Sequence, residues 1–316
     1  MELHDFWFFL ICVLWSGYFV LEGFDFGVGM LIPVLGRSEE DRGTLLGTIG
    51  PVWDGNEVWL VTAAGATFAA FPQWYATMFS GFYIALLLVL VLLIVRVVSF
   101  EWREKVDSDR WQGVWTGANV VASYGIPLLW GIALTSLLAG VPVGEDKEFT
   151  GNVFDLFSWY SVLGGVAFMA LFAWHGSVFI TLRTAGAMKE RAHRLSLRLA
   201  PFSVLLTIAF LAATLWTGVD ANEKGLVGGL VIIPLAVAAL LVAWFMAGRR
   251  REGVAFASTC VAIVLSVTLL FVELFPRVMV SSTDFAWSLT TSNASSSHYT
   301  LVFMTIVALV MTPVVL

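Results

Sequence analysis

The sequence predicts an all-α integral membrane protein, and three observations carry the prediction. Of the 316 residues, 59% are hydrophobic and 13% charged, with a mean hydropathy of +0.87, whereas ordinary globular domains are about 45–50% apolar and about 25% charged. The apolar residues gather into continuous runs of the length, about 20 residues, that a helix needs to cross a hydrocarbon core of about 30 Å. The runs do not alternate as the strands of a membrane barrel do, and lipid tolerates no unpaired backbone. Other classes drop out on the same composition. Cys12 and Cys260 both lie in apolar runs, which excludes a disulfide scaffold. A net charge of −6 with dispersed basic residues argues against nucleic acid as a partner. Met1 is followed by Glu2, His4 and Asp5 rather than a basic stretch, so no cleavable leader is expected.

Nine spans are expected within a single polytopic membrane domain covering 1–316. The first, near 6–35, carries the acidic stretch LEGFDFGVGML at 21–31. The second, near 52–71, is the least apolar at its start, where Asp54, Asn56 and Glu57 occupy the opening turns. The third and fourth, near 76–98 and 113–138, are apolar runs joined by a basic loop. The fifth, near 156–182, contains His175. The sixth, seventh and eighth lie near 199–218, 226–247 and 254–276. The ninth, near 299–316, is still apolar at Leu316, so its native end is expected to lie beyond that residue.

Loop charge sets the orientation. The loops after odd-numbered spans hold Arg37 and Arg42; Arg96, Arg103, Lys105 and Arg110; Arg183, Lys189, Arg191, Arg194 and Arg198; and Arg249, Arg250 and Arg251. Of the 17 basic residues, the remaining loops hold only Lys147, Lys224 and Arg277. The positive-inside rule then puts the N-terminus outside and the C-terminus in the cytoplasm. No internal repeat is visible. The Ser/Thr-rich segment 281–297 also contains Phe285 and Trp287, and reads as an ordered outer loop.

Charges inside spans are costly and mark function by default. Glu22 and Asp25 are three apart in the first span, on one helical face, and Asp54 and Glu57 repeat that spacing in PVWDGNEVW at 51–59. Both pairs fall in the inner half of the membrane, so four carboxylates are expected to converge near the cytoplasmic face. Three readings stay open for them. They relay protons through a low-dielectric interior, they bind a cation, or they cap helices and hold an arginine of the adjoining loop, Arg37 or Arg42. Asp54 also suits the positive end of a helix dipole.

Gly23, Gly27 and Gly29 span about two turns of the first helix, a spacing that lets a partner helix approach closely. Trp53, Trp59, Phe68, Phe71, Trp74 and Tyr75 cluster around the second helix, with Trp74 and Tyr75 suited to an interfacial belt. Trp53, beside Asp54, belongs to belt or core, or else lines a pocket for a ring or an isoprenoid tail. Glu273 is four residues from Arg277 and reads as its structural partner. His175 is the one histidine deep in a span and so a candidate haem ligand; a histidine bonded to a neighbouring helix is the plainer reading. There is no His/Cys cluster for a metal, no phosphate loop and no nucleophile motif.

Several stretches resemble one known family. GFDFGVGML at 23–31, PVWDGNEVWL at 51–60 and FAAFPQWYATMFSGFY at 68–83 are similar to the second subunit of cytochrome bd-type quinol:oxygen oxidases. The similarity continues in RVVSFEWREKV at 96–106, FPRVMVSS at 275–282 and WSLTTSNASSSHYTL at 287–301. The resemblance implies a multi-pass subunit of the bacterial cytoplasmic membrane, without haem or catalytic centre of its own. Its obligate partner would be a first subunit that carries haems b and d and oxidises the membrane quinol, ubiquinol or menaquinol, with small accessory subunits also expected in some members. The complex would reduce dioxygen to water during aerobic respiration, taking protons from the cytoplasm. By motif position the resemblance puts Asp25 and Asp54 on a proton path. It sets Glu22 beside Asp25, whose charge it would tune, while Glu57 departs from a glutamine found in some members. It also implies a structural quinone in some members, with Trp53 as a contact, and assigns Gly23, Gly27 and Gly29 to packing against the partner subunit or around the proton route. A proton-coupled transporter using the same acids is the rival class, although the sequence lacks the repeats and broken helices common there.

Overall fold

A computed structural model describes residues 2–222 and 226–315, so the expectations for Lys224 and for the chain at Leu316 lie outside the described residues. The order is α1 (Leu3–Leu35), α2 (Glu39–Ile49), α3 (Trp53–Ala70), α4 (Pro72–Gly81), α5 (Tyr83–Arg103), α6 (Asp109–Ala139), α7 (Trp159–Arg183), α8 (Gly186–Asn222), α9 (Val227–Gly248), α10 (Glu252–Leu274) and α11 (His298–Val315). Between α10 and α11 a short antiparallel pair joins β1 (Arg277–Met279) to β2 (Leu289–Thr290). Seven helices among the described residues, α1 and α5 to α10, are long and apolar enough to cross a membrane. The other two expected spans form α3, whose first turns carry Asp54 and Glu57, and the shorter apolar α11.

Three features depart from the expected spans. The loop after α1 contains α2, which Ser38 caps by accepting from the Asp41 amide at 3.2 Å. Glu39, Glu40 and Asp41 then fill its first turn, where the helix dipole favours negative charge. Its mixed composition hid it from a search for apolar runs. The span expected near 76–98 is two helices: Pro72 opens α4, and the chain breaks at Phe82 before α5 begins. Trp74, expected at the lipid interface, is a core residue packed against Phe8 and Phe71.

α1 is the axis of the fold and packs against α3, α6, α7 and α10. Its aromatic face stacks Trp15, Phe19, Phe168 and Phe172 through the centre of the bundle. Small residues set how closely these helices cross. A Cβ on Gly27 would fall on the Phe172 carbonyl oxygen and the Gly176 backbone of α7, and one on Gly23 would meet the Phe172 ring. One on Gly29 would meet Ser123 and Asn119 of α6. Close approach at these glycines is therefore real, but the helices that approach belong to this chain. That corrects their assignment to packing against a partner subunit.

At one end of the bundle the segment 277–294 is knitted into the helices. Val141 and Val280 are joined by a backbone bond of 3.0 Å, and Thr291 donates to Asp5 at 2.9 Å. Val278, Met279, Val280, Leu289 and Ala294 are buried there, so the expected ordered loop is what forms. At the other end, ion pairs tie the helix termini: Glu39 with Arg103, Asp41 with Arg191, Glu190 with Arg250 and Glu252 with Lys189.

Candidate functional site

The site is built around a buried arginine on α5. The buried positions of that helix, Ala85, Val89, Leu93, Arg96, Ser99 and Arg103, recur every three or four residues and form one stripe facing the bundle. Arg96 lies on this stripe and is fully buried. Counting it with the basic loop after the third span was therefore wrong: the α-helix continues to Arg103 and carries Arg96 inside. Its Nη1 donates to Glu22 Oε2 of α1 at 2.9 Å and to Glu57 Oε1 of α3 at 3.4 Å. The guanidinium also sits over the rings of Phe26 and Phe100, at 4.8 and 5.4 Å from their centroids. A buried arginine facing a carboxylate and aromatic rings has both its charge and its flat faces occupied.

Glu22 and Asp25 project from consecutive turns of α1, and both are fully buried. Asp25 Oδ2 accepts from Asn56 Nδ2 of α3 at 2.8 Å, and the same amide lies 3.5 Å from the Leu21 carbonyl. The i,i+3 spacing puts the two carboxyl groups on one face of α1. Glu22 Oε1 and Asp25 Oδ1 nevertheless accept from no protein donor among the described residues, and Arg96 Nε and Nη2 donate to no protein acceptor there. Orphaned buried groups of this kind are rare, and in a polar site they are commonly satisfied by water or by an added proton.

Below Arg96 the polar line continues between α5 and α6. Ser99 donates to the Arg96 carbonyl at 2.5 Å, and Asn119 Nδ2 donates to Ser99 Oγ at 2.9 Å. Arg103 Nε donates to Thr116 Oγ1 at 3.0 Å, and Arg103 pairs with Glu39 of α2 at the bundle end. Buried polar side chains thus run from α2 up to the carboxyls on α1. Asp41, on the same first turn of α2 and outside the membrane-crossing helices, sits below the usual carboxylate range. Slight burial raises it, but the hydrogen bond and charge of Arg191 and the amides of Arg37 and Ser38 outweigh that.

The four acids do not all converge. Glu22 and Glu57 meet at Arg96 and Asp25 is held by Asn56, while Asp54 is exposed on the first turn of α3, one turn from Glu57. The i,i+3 spacing does put Asp54 and Glu57 on one face, but that face looks partly out of the bundle, and Asn56 is the residue α3 turns inward. Neither Arg37 nor Arg42 reaches the cluster. Arg42 pairs with Glu39, and the cation that the carboxyls hold is Arg96.

Trp53 is half-buried, its ring 5.7 Å from that of Phe100. A groove of about 520 Å³ opens between α3 and α5, lined by Leu60, Phe68, Tyr75, Phe79, Tyr83 and Trp130, without Trp53. His175 is buried between α1 and α10. Its Nε2 lies 3.1 Å from the Val20 carbonyl, which can only accept, so Nε2 carries the proton. Nδ1 lies 2.7 Å from Thr259 Oγ1, whose hydroxyl also lies 2.7 Å from the Phe256 carbonyl. Both ring nitrogens thus face protein oxygens.

Sequence reasoning missed Arg96, Asn56 and the Ser99–Asn119 ladder. The signal for Arg96 was present, because RVVSF follows an apolar run without a turn residue and Arg96 continues its helical stripe.

The family model described as cytochrome bd terminal oxidase subunit II matches residues 3–316. "Cytochrome bd ubiquinol oxidase subunit 2" of Bacillus subtilis (strain 168) is 43% identical over 320 residues, covering 100% of this chain and 93% of that protein. "Cytochrome bd-I ubiquinol oxidase subunit 2" of Escherichia coli (strain K12) is 35% identical over 343 residues, covering 98% and 90% respectively. In fold, the chain is similar to a solved chain of the bd oxidase from Geobacillus thermodenitrificans, with a TM-score of 0.75, 17% identity and coverage of 100% and 97%.

Proposed function

The chain belongs to the family of cytochrome bd terminal oxidase subunit II, and from that premise we propose that its buried acid–arginine cluster carries protons toward a haem-bearing partner. The chain is one subunit of a multi-pass membrane complex with quinol:oxygen oxidoreductase activity. In our reading it holds no haem itself, supports the first subunit, and spans the membrane nine times with α3 and α11 included. The N-terminus lies outside and the C-terminus inside, which makes the end bearing α2 cytoplasmic. The clustering of the Arg37, Arg103, Arg191 and Arg250 segments at that end supports the orientation.

Reducing dioxygen to water consumes protons inside a dry bundle, so polar groups must bridge from the cytoplasm to the site of reduction. One observation carries the assignment: Glu22 and Asp25, fully buried on one face of α1, each keep a carboxyl oxygen without a protein donor among the described residues. Arg96 balances one carboxylate. A proton between the two acids satisfies both orphaned oxygens, and passing it on restores the ion pair. Glu57, between Arg96 and the exposed Asp54, joins this pair to the chain's outer face. Asp54 is then the group that a first subunit docked over α3 would meet. Trp53, on the same turn, is the residue we assign to a structural quinone or lipid contact.

The test is Asp25→Asn in the purified complex, since asparagine keeps the shape and can still accept from Asn56. The variant is expected to assemble with its full haem spectrum and to lose at least about tenfold in quinol oxidase turnover, the scale of losing a proton-transfer group. Asp54→Asn is expected to act in the same direction. Full turnover in both variants would remove the acids from the proton route, and failed assembly would make them structural.

A further inference from the structure

We propose that the groove between the inner ends of α8 and α9 is a binding site for an anionic phospholipid, with a phosphodiester headgroup at Arg249 and an acyl chain against Trp244 and Phe245. The groove, about 450 Å³, is lined by Leu197 of α8 and by Leu241, Trp244, Phe245 and Arg249 of α9 and its end. Its walls are apolar and aromatic, and its one charge lies at the mouth, where α9 stops. A free anion would gain nothing from such walls; an acyl chain would.

Charge complementarity identifies the headgroup. The basic residues around the α9–α10 turn divide into two sets. Arg250, Arg191 and Lys189 are held by Glu190, Asp41 and Glu252 respectively, so their charge is spent within the chain. Arg249 has no carboxylate partner among the described residues and rests its guanidinium on the Phe245 ring, 4.7 Å from the centroid. It is itself one of the residues that line the groove. Arg194 and Arg198, exposed and four apart on α8, flank the lining residue Leu197, and no ion pair engages them either. Arg249 at the mouth of an apolar cleft, with Arg194 and Arg198 exposed on the neighbouring helix, forms a site for a phosphate that carries a hydrocarbon tail. Trp244 suits the boundary between headgroup and chain.

The test uses the intact detergent-solubilised complex and native mass spectrometry, titrating phosphatidylglycerol against phosphatidylcholine of matched chains. Phosphatidylglycerol is expected to bind preferentially. Arg249→Gln is expected to weaken it by roughly fivefold, and the added Arg194→Gln and Arg198→Gln changes by a similar factor each. Arg251→Gln, outside the lining, should leave binding unchanged. Leu241→Trp, which fills the groove and spares the arginines, should weaken both lipids. Inorganic phosphate at the same concentration should not compete. Equal binding of the two lipids, binding indifferent to Arg249, or full competition by inorganic phosphate would each overturn the proposal.

Discussion

Two buried polar sites touch α1 little more than a turn apart, and they are built on opposite principles. His175 reaches the backbone at Val20 and has both ring nitrogens bonded to protein. Glu22 and Asp25 carry more charge than Arg96 alone can balance, and they leave two oxygens without a protein donor among the described residues. The histidine is a closed polar contact whose value is to fix α7 against α1 and α10. The acids are an open one, where a proton or a water still has a place to go. A buried polar residue therefore announces function through what it leaves unsatisfied, more than through its residue type or depth.

The comparison breaks most severely at Arg96. Arg96→Met strips buried Glu22 of its cation, and removing one partner of a buried pair costs about 3–5 kcal/mol. The complex is expected to lose its haem-bearing partner on purification, read as haem per mole of this chain. Arg96→Lys should recover part of the yield. Normal assembly of Arg96→Met would mean that the pair does not hold α1, α3 and α5 together.

His175→Ala sharpens the contrast from the other side. It leaves the Val20 carbonyl and Thr259 without their partner, at a cost of about 1–3 kcal/mol. The expected signature is a lower melting temperature with unchanged turnover per haem, the reverse of Asp25→Asn. A turnover loss at intact stability would place His175 in the reaction. Glycine substitutions come next. Gly27→Ala drives a methyl into the Phe172 carbonyl and the Gly176 backbone, so overpacking should cost about 1–3 kcal/mol. Gly43→Ala on α2 meets open space and should raise the melting temperature slightly through helix propensity.

The smallest effect is expected at Asp41. Its folded-state acidity is stronger than the ordinary carboxylate value of about 4. The stability it contributes is therefore present above that value and is lost as pH falls through its lower folded one. Asp41→Asn should lower the melting temperature slightly at neutral pH, with the gap to the parent closing in acid. A gap that widened in acid would reverse the sign of the Asp41–Arg191 contact.

The contrast between the two sites also explains what the sequence made legible. Long apolar runs identify α1 and α5 to α10 because a membrane permits few alternatives. The acids of α1 stand out because charge is rare there. α2 and α4 escape the same reading, being short and mixed in composition. Arg96 was hidden by a bias of the orientation rule, which takes every arginine near a helix end as loop charge. Asp54 and Asn56 show the finer limit. Two residues apart on α3, they lie on different faces, and only packing reveals that the amide, not the acid, meets Asp25. The glycines announced close approach correctly but could not name the helix that approaches, since Gly27 meets α7 only once the chain is folded.

The central claim is that the open acid pair hands protons to the partner subunit. Its most direct test is single-turnover proton uptake by the intact complex on mixing the reduced enzyme with dioxygen, followed with a pH dye, for the parent and for Asp25→Asn. The expected result is proton uptake slowed at least about tenfold with haem content and initial oxygen binding unchanged. Proton uptake at the parental rate, in a variant with its full haem content, would contradict it.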